Sequence, residues 1–324
     1  MGMYLVTGVA GFIGSALARA LIQRGHSVRG VDDFSTGKEE NVADLTGQLD
    51  LRRVSLLEPA GLAEACNGID YVFHEAALPS VPKSVAQPKL TNSVNIEGTL
   101  NLLIAARDAK VKRVVYAASS SAYGDSEVLP KHEDMTPRPI SPYAVQKLTG
   151  ELYMQVFASV YGLETVSLRY FNVFGPRQDA NSQYSAVLAK FITQMLQNQS
   201  PTIYGDGEQS RDFTYIDNVV KANLLAAEAP AARVSGKVFN IANGSRHSLN
   251  QTFQMLQRIT GFSGAPKYAD ARAGDVKHSL AEIGLAQKYL NYVADVSFEE
   301  GLKRTVAWYS QTLKQLASAT ALAK

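Results

Sequence analysis

One cysteine, Cys66, stands in a chain of 324 residues, so no internal disulfide can form and the usage suits a reducing cytoplasm. Its thiol reads as structural. The five histidines (His26, His74, His132, His247 and His278) are scattered without metal-ligand spacing, and no metal centre is expected. No apolar run approaches the ~20 residues of a membrane span, and no leader pattern precedes the first strand. Charge of one sign is also lacking. Lys and Arg number 32 against 30 Asp and Glu, interspersed to a net +2, which excludes a nucleic-acid stripe and a membrane patch. What remains is 46% hydrophobic and 19% charged, enough for a large core or two lobes.

The first positive signal is Thr7-Gly8-Val9-Ala10-Gly11-Phe12-Ile13-Gly14. A short apolar run, Tyr4 to Val6, precedes it, and Phe12, Ile13, Ala16, Leu17, Ala20 and Leu21 follow at helical period. Strand, glycine turn and helix form the context of a dinucleotide fingerprint. Gly8 allows the turn, Gly11 lets the backbone approach a pyrophosphate, and Gly14 lets the helix pack on the strand. The free N–H groups of the helix start then face the anion. Spacing alone says little in a chain with 24 glycines. The second strand adds weight: Ser27 to Val31 ends at Asp32-Asp33, and a carboxylate there accepts from a ribose diol and repels a 2′-phosphate. This predicts NAD as cofactor, with Asp32 as the ribose ligand.

Strands and helices alternate through the first half. Ile69–His74, Arg113–Ala118 and Thr165–Phe171 read as buried strands, and Asn95–Ala109 has helical period. The alternation predicts an α/β fold: a Rossmann-type doubly wound parallel sheet with a smaller C-terminal α/β substrate lobe. The expected boundaries are 1–171 for the NAD-binding domain, with a return to it at about 212–242, and 172–324 mainly for the substrate lobe.

A second constellation is Tyr143 and Lys147, four residues apart on a helix announced by Ser141-Pro142 and running to Tyr161. Ser119-Ser120-Ser121 ends the strand before it, and strand ends border the ligand crevice of an open α/β sheet. Bringing a phenol from pKa ~10 to ~7 takes about 4 kcal/mol, and an ammonium ~4 Å away at an effective dielectric near ~20 supplies about that much. Lys147 is therefore expected to lower the pKa of Tyr143.

These segments, together with His74-Glu75-Ala76-Ala77, Asn95 to Thr99, Arg169 to Arg177, Gly205-Asp206-Gly207, Arg211-Asp212 and Gly274-Asp275, resemble the extended short-chain dehydrogenase/reductases, close to the UDP-hexose 4-epimerases. The resemblance covers nearly the whole chain. It implies Tyr143 as acid/base, Lys147 on the nicotinamide ribose and Ser119 on the reacting hydroxyl. Gly8, Gly11, Phe12, Ile13, Gly14, Asp32, Ala76, Ala77, Asn95, Tyr143 and Lys147 would hold NAD. Ser120, Ser121, Asn172, Tyr204, Arg211, Arg272 and Ser279 would hold a UDP-sugar. It also implies a cytoplasmic homodimer, pairing through the helices near Asn95 and Tyr143 with Leu102, Leu103, Leu148, Leu152 and Val156. Ser55 stands where such proteins usually carry an adenine-binding aspartate.

Dehydratases and decarboxylases of this group carry acidic residues just after the catalytic serine, whereas this chain has Ser120, Ser121 and Ala122. That favours oxidation and re-reduction at one carbon through a 4-keto sugar. Ser279 aligns with a pocket position where a small residue leaves room for an N-acetyl group. The run Ser119 to Gly124 and the stretches Tyr184 to Phe191 and Lys277 to Ala281 look most like UDP-N-acetylglucosamine 4-epimerases. The expected reaction is thus UDP-GlcNAc to UDP-GalNAc, with UDP-glucose or UDP-glucuronate as the alternative. A non-catalytic NAD-binding regulator of the same fold is disfavoured by the intact Ser119, Tyr143 and Lys147.

Overall fold

The computed structural model describes residues 2–180, 187–271 and 276–322. They divide into two units. One takes Met1–Tyr170, Val219–Ile241 and Glu282–Val293; the other takes Phe171–Asn218, Ala242–Ala281 and Ala294–Lys324.

In the first unit, β1 (Met3–Thr7), β2 (Ser27–Asp32), β3 (Leu49–Arg53), β4 (Tyr71–His74), β5 (Arg113–Ser119) and β6 (Glu164–Tyr170) join the Lys237–Ile241 strand in one sheet. Across the sheet the order is Lys237–Ile241, β6, β5, β4, β1, β2, β3, with every pair parallel. This is the expected doubly wound α/β sheet. Its order reverses between β1 and β4, the switch point beside which such sheets bind ligands. The strands read as continuous apolar runs because both faces are covered. Leu5, Val72, Val114, Leu102, Leu103, Ala106 and Leu62 pack in one buried cluster on one side.

The Pro142–Tyr161 helix shows how local sequence fixes the site. Ser141 Oγ accepts from the N–H of Ala144 at 3.2 Å, proline occupies the first turn, and Gly162 ends the helix at φ +69. Gly150 faces the sheet. A Cβ there would lie 2.3 Å from the Tyr116 hydroxyl oxygen, so only glycine lets the helix sit this close to β5. The close approach carries Lys147 over the Tyr116 ring, 4.8 Å from its centroid.

Two buried cations tie elements together. Arg113 on β5 donates to the carbonyls of Ala226, Ala227 and Ala229 at the end of the Ile216–Glu228 helix and pairs with Glu164. Those carbonyls have no intrahelical partner, so the guanidinium caps them. Arg169 on β6 pairs with both oxygens of Glu151, at 2.9 and 2.7 Å, and lies over the Tyr123 ring. Both side chains are almost wholly buried, at 4% and 1% exposure.

Among the described residues the second unit has only short strand pairs: Val173–Phe174 with Thr214–Tyr215, Ser210–Arg211 with His247–Ser248, and Thr202–Tyr204 with Lys267–Ala269. Its core is aromatic, with Phe174 in ring contact with Phe213, Tyr215 and Phe298, and Phe213 stacked on Phe298. Leu249–Thr260, opened by a Ser248–Gln251 capping box, packs on Val187–Leu196.

Glu151→Gln leaves the Arg169 guanidinium buried without its counter-charge. We expect a loss of about 3–5 kcal/mol, read as a lower urea midpoint at unchanged m-value.

Candidate active site

The glycine turn is built by close approach. Gly8 has φ +65, and a Cβ there would lie 2.8 Å from the backbone N and Cα of Ala76. At Gly14 a Cβ would sit 2.2 Å from the Gly8 carbonyl oxygen. Gly11 caps the Phe12–Gln23 helix with no side-chain bond and no acidic residue in the first turn. The N–H groups of Phe12 and Ile13 are thus left to an anion, with the helix dipole favouring it. Asp32 ends β2. Its Oδ2 accepts from the N–H of Ala10 at 2.9 Å and its Oδ1 from that of Phe34 at 2.8 Å. Burial pushes its carboxyl up from the ordinary value, opposed by these two N–H groups. Each oxygen keeps a second lone pair for a ribose hydroxyl. This cradle fits a dinucleotide.

His74 holds the neighbouring loop. It is fully buried, and burial followed by the Lys147 charge pushes it down to about 3, so it is neutral. Thr99 donates to the Asn95 carbonyl at 2.8 Å and therefore accepts from His74 Nε2–H at 3.0 Å. Nδ1 then accepts from the Thr7 hydroxyl at 2.9 Å, and Thr7 accepts from the N–H of Ala76 at 3.1 Å. Every proton in this chain has one direction. Ala76 and Ala77 follow, half-buried. Asn95, expected on the cofactor, is buried with its amide committed. It exchanges bonds with the Leu78 backbone and donates to Gln146 Oε1 at 2.8 Å. It therefore clamps the Ala76–Leu78 loop. Ser55 accepts from the N–H of Leu57 at 3.3 Å.

Ser119, Tyr143 and Lys147 come together at the strand ends. The Ser119 hydroxyl acts on the Tyr143 phenol, opposing the rise of its pKa. Ser121 donates its hydroxyl proton and its N–H to Ser119 Oγ, at 2.9 and 3.2 Å, which leaves the Ser119 proton free to point elsewhere. Ser121 is thus a support for Ser119, and Ser120 is half-buried beside it. Lys147 Nζ donates to the Ala117 carbonyl at 2.7 Å. Here one expectation is corrected. Burial pushes the Tyr143 phenol up to about 12, against the expected fall, and Ser119 opposes the rise. The ammonium is turned to the Ala117 carbonyl and is itself pushed down by burial to about 8.

Sequence reasoning missed Glu75 here. Its side chain accepts from the Tyr170 hydroxyl at 2.9 Å and interacts with Lys147. The only signal was its place in the quoted His74 to Ala77 segment.

In the second unit, Asn172, Tyr204 and Arg211 line one pocket of about 250 Å³, together with Phe174, Gln209 and Phe213. Asn172, at φ +34, donates to the Asp212 carbonyl and to Ser279 Oγ, both at 3.1 Å. Ser279 is therefore bonded to the pocket wall. Asp212, unforeseen as an organiser, is fully buried and accepts from the N–H groups of Asn243, Gly244 and Ala281. Burial pushes it up to about 7 against those bonds. Arg272, like Tyr184, Gly274 and Asp275, lies outside the described residues. Among the described residues no cluster of His, Cys, Asp and Glu could hold a metal, and no helix is long and apolar enough to cross a membrane.

The chain belongs to the NAD dependent epimerase/dehydratase family, whose model matches residues 4–242. It is 36% identical to a putative UDP-glucose 4-epimerase of Methanocaldococcus jannaschii, over 94% of this chain and 98% of that protein. Two solved structures are similar. A Thermotoga maritima UDP-glucose 4-epimerase with UDP-glucose is 40% identical, with TM-score 0.91 over 96% of this chain and 99% of that one. A Methanobrevibacter ruminantium UDP-N-acetylglucosamine 4-epimerase in complex with UDP-N-acetylmuramic acid is 43% identical, with TM-score 0.92 over the same shares. NAD is the cofactor.

A 2′-phosphate beside Asp32 would face a carboxylate. Titration should give NADP a Kd at least ~10-fold above that of NAD. Equal affinities would remove Asp32 from the ribose site.

Proposed function

We propose that this chain is a UDP-hexose 4-epimerase, with UDP-glucose and UDP-galactose as its first substrate pair. The observation that carries the reading is Ser119 at the end of β5, its oxygen held by Ser121 and Lys147 held by the neighbouring Ala117 carbonyl, with no carboxyl pair following the serine. That arrangement moves a proton at one alcohol and offers no second acid and base for elimination.

Tyr143 is assigned the proton at O4 of the sugar, and Ser119, freed by the bonds from Ser121, orients that hydroxyl. Lys147 is a fixed cation one helical turn away, held by the Ala117 carbonyl. NAD, when bound, supplies the hydride acceptor and donor, and its positive ring is the charge that lowers the Tyr143 phenol. Gly8, Gly11, Phe12, Ile13, Gly14 and Asp32 would hold it. Asn172, Tyr204 and Arg211 are assigned to the UDP, because they share the pocket of the second unit. A guanidinium suits a diphosphate, and Tyr204 offers a ring to a base.

The choice of sugar follows the relatives. Two of those described above are named for UDP-glucose, which supports it ahead of the N-acetylhexosamine expected from Ser279. A second reading stays with the N-acetyl sugar, supported by the ruminal epimerase and by the small side chain at 279. UDP-glucuronate would want a threonine or arginine near Asn172 to meet a carboxylate, and the asparagine itself weighs mildly against that sugar.

A homodimer is part of the same proposal. Leu102 and Leu103 are core residues, so they take no part in it. Val145, Leu152 and Val156 on the Pro142–Tyr161 helix and Ile104 on the Gly98–Asp108 helix are exposed, and they supply the apolar face. Light scattering at micromolar concentration should give about twice the 35.1 kDa chain mass. A species of one chain mass would count against the dimer.

Tyr143→Phe should bind NAD and UDP-sugar yet lose at least ~100-fold in turnover. A coupled assay of UDP-glucose, UDP-GlcNAc and UDP-glucuronate on one preparation ranks the sugars by kcat/KM. No turnover of any of the three would overturn the epimerase reading. Ser279→Tyr should disfavour UDP-GlcNAc against UDP-glucose by about 1–3 kcal/mol if position 279 borders the sugar.

A further inference from the structure

Glu75 is a charged group for which the mechanism above has no use. It is the first residue past β4, and β4, β5 and β6 are neighbours in the sheet, with Ser119 opposite Tyr170. The Tyr170 hydroxyl lies 2.9 Å from Glu75 Oε1. Asn223 places its amide nitrogen 2.8 Å from the same hydroxyl, against 3.1 Å for its amide oxygen. The nitrogen also donates to the Val219 carbonyl at 2.9 Å, which fixes the amide's orientation. A phenol has one proton. With its acceptor side filled by Asn223, that proton goes to Glu75, and the carboxylate is aimed and held.

Lys147 needs such a partner. The residue is 4% exposed, and its ammonium has the Ala117 carbonyl and the Tyr116 ring beside it. Glu75 follows His74, which is in register with Tyr116, so it stands at the level of Ala117, whose carbonyl holds the ammonium; Glu151 lies one turn along the helix, and both charges act on Lys147. Glu151 already gives both oxygens to Arg169. His74, on β4, is neutral, and Tyr116 and Tyr143 keep their protons far above neutral pH. Glu75 is thus the carboxylate not spent on a guanidinium.

We propose that Glu75 is a positioning residue of the catalytic centre, the counter-charge that keeps the buried ammonium of Lys147 protonated and in place. The proposal rests on the epimerase reading for its meaning, since it acts through Lys147. Burial pushes Glu75 up to about 7, opposed by the Tyr170 bond and then by Lys147, and burial pushes Lys147 down to about 8, opposed first by Glu75. Acid therefore uncharges Glu75 and base uncharges Lys147.

Glu75→Gln keeps an acceptor for Tyr170 and removes the charge. The test is a ¹³C NMR titration of Lys147 Cε in lysine-labelled, NAD-loaded protein, with the resonance assigned through Lys147→Met. The Lys147 midpoint should fall by about 1 pH unit or more. The high-pH limb of kcat/KM should move with it, and Glu75→Asp should restore part of the shift. An unmoved midpoint in folded Glu75→Gln overturns the proposal, whatever happens to the rate. If that variant does not fold, Tyr170→Phe serves instead. It removes the hydroxyl that holds Glu75 anionic, so the Lys147 midpoint must again fall, and a wild-type value sinks the idea. The titration needs no turnover, so a chain that epimerises nothing yet shows the shift would refute the proposed function and leave this inference standing.

Discussion

An ammonium placed inside the protein at the ends of three parallel strands is the constraint around which the first unit is arranged. Lys147 can be there only because Gly150 lets its helix close onto Tyr116 and because the Ala117 carbonyl takes one of its protons. Burial penalises such a charge unless hydrogen bonds and opposite charges surround it. The Glu151–Arg169 pair one turn away answers part of that need and sets a rigid floor beside Tyr123. These charges stiffen the strand ends from which Ser119 and Glu75 project.

The nucleotide half depends on a different economy, that of missing atoms. Gly8 and Gly14 bring β1, the Ala76 loop and the Phe12–Gln23 helix within distances that any Cβ would break. The one-way chain from Ala76 through Thr7, His74 and Thr99 to the Asn95 carbonyl then fixes that loop. Because His74 is neutral and each hydroxyl donates once, the chain has a single arrangement of protons. A loop so determined presents the same surface to every nucleotide that enters.

Much of this was legible in the sequence, for reasons that can be named. The glycine spacing, the apolar strands and Ser141-Pro142 each act over a few residues, and the structure places β1, β2, β5 and the Pro142–Tyr161 helix accordingly. What escaped depends on partners far apart in the chain. The expected lowering of the Tyr143 phenol left out burial, which raises it and depends on how the whole sheet and helix pack around it. Asn95 was assigned to the cofactor by resemblance, yet Leu78 and Gln146 use its amide. Glu75 went unassigned because Tyr170 is 95 residues away. The roles of Asp212 in the second unit are of the same kind, made by N–H groups from three separate positions.

The sugar question shows why a residue's size is weaker evidence than its bonds. Ser279 was read as a small residue that leaves space, yet its hydroxyl accepts from Asn172 at 3.1 Å. Asn172 stands in a left-handed backbone conformation and lines the pocket, so the serine helps hold a strained wall. A serine at this position therefore satisfies a bonding demand as well as a volume, and its presence does not by itself select a bulky sugar. A tyrosine in its place would add a ring and also release the amide of Asn172. Alanine separates the two effects: it is as small as serine but cannot accept the bond. If Ser279→Ala shifts UDP binding for every sugar alike, the hydroxyl acts on the nucleotide wall, and sugar choice must be sought among the other residues that approach the ring.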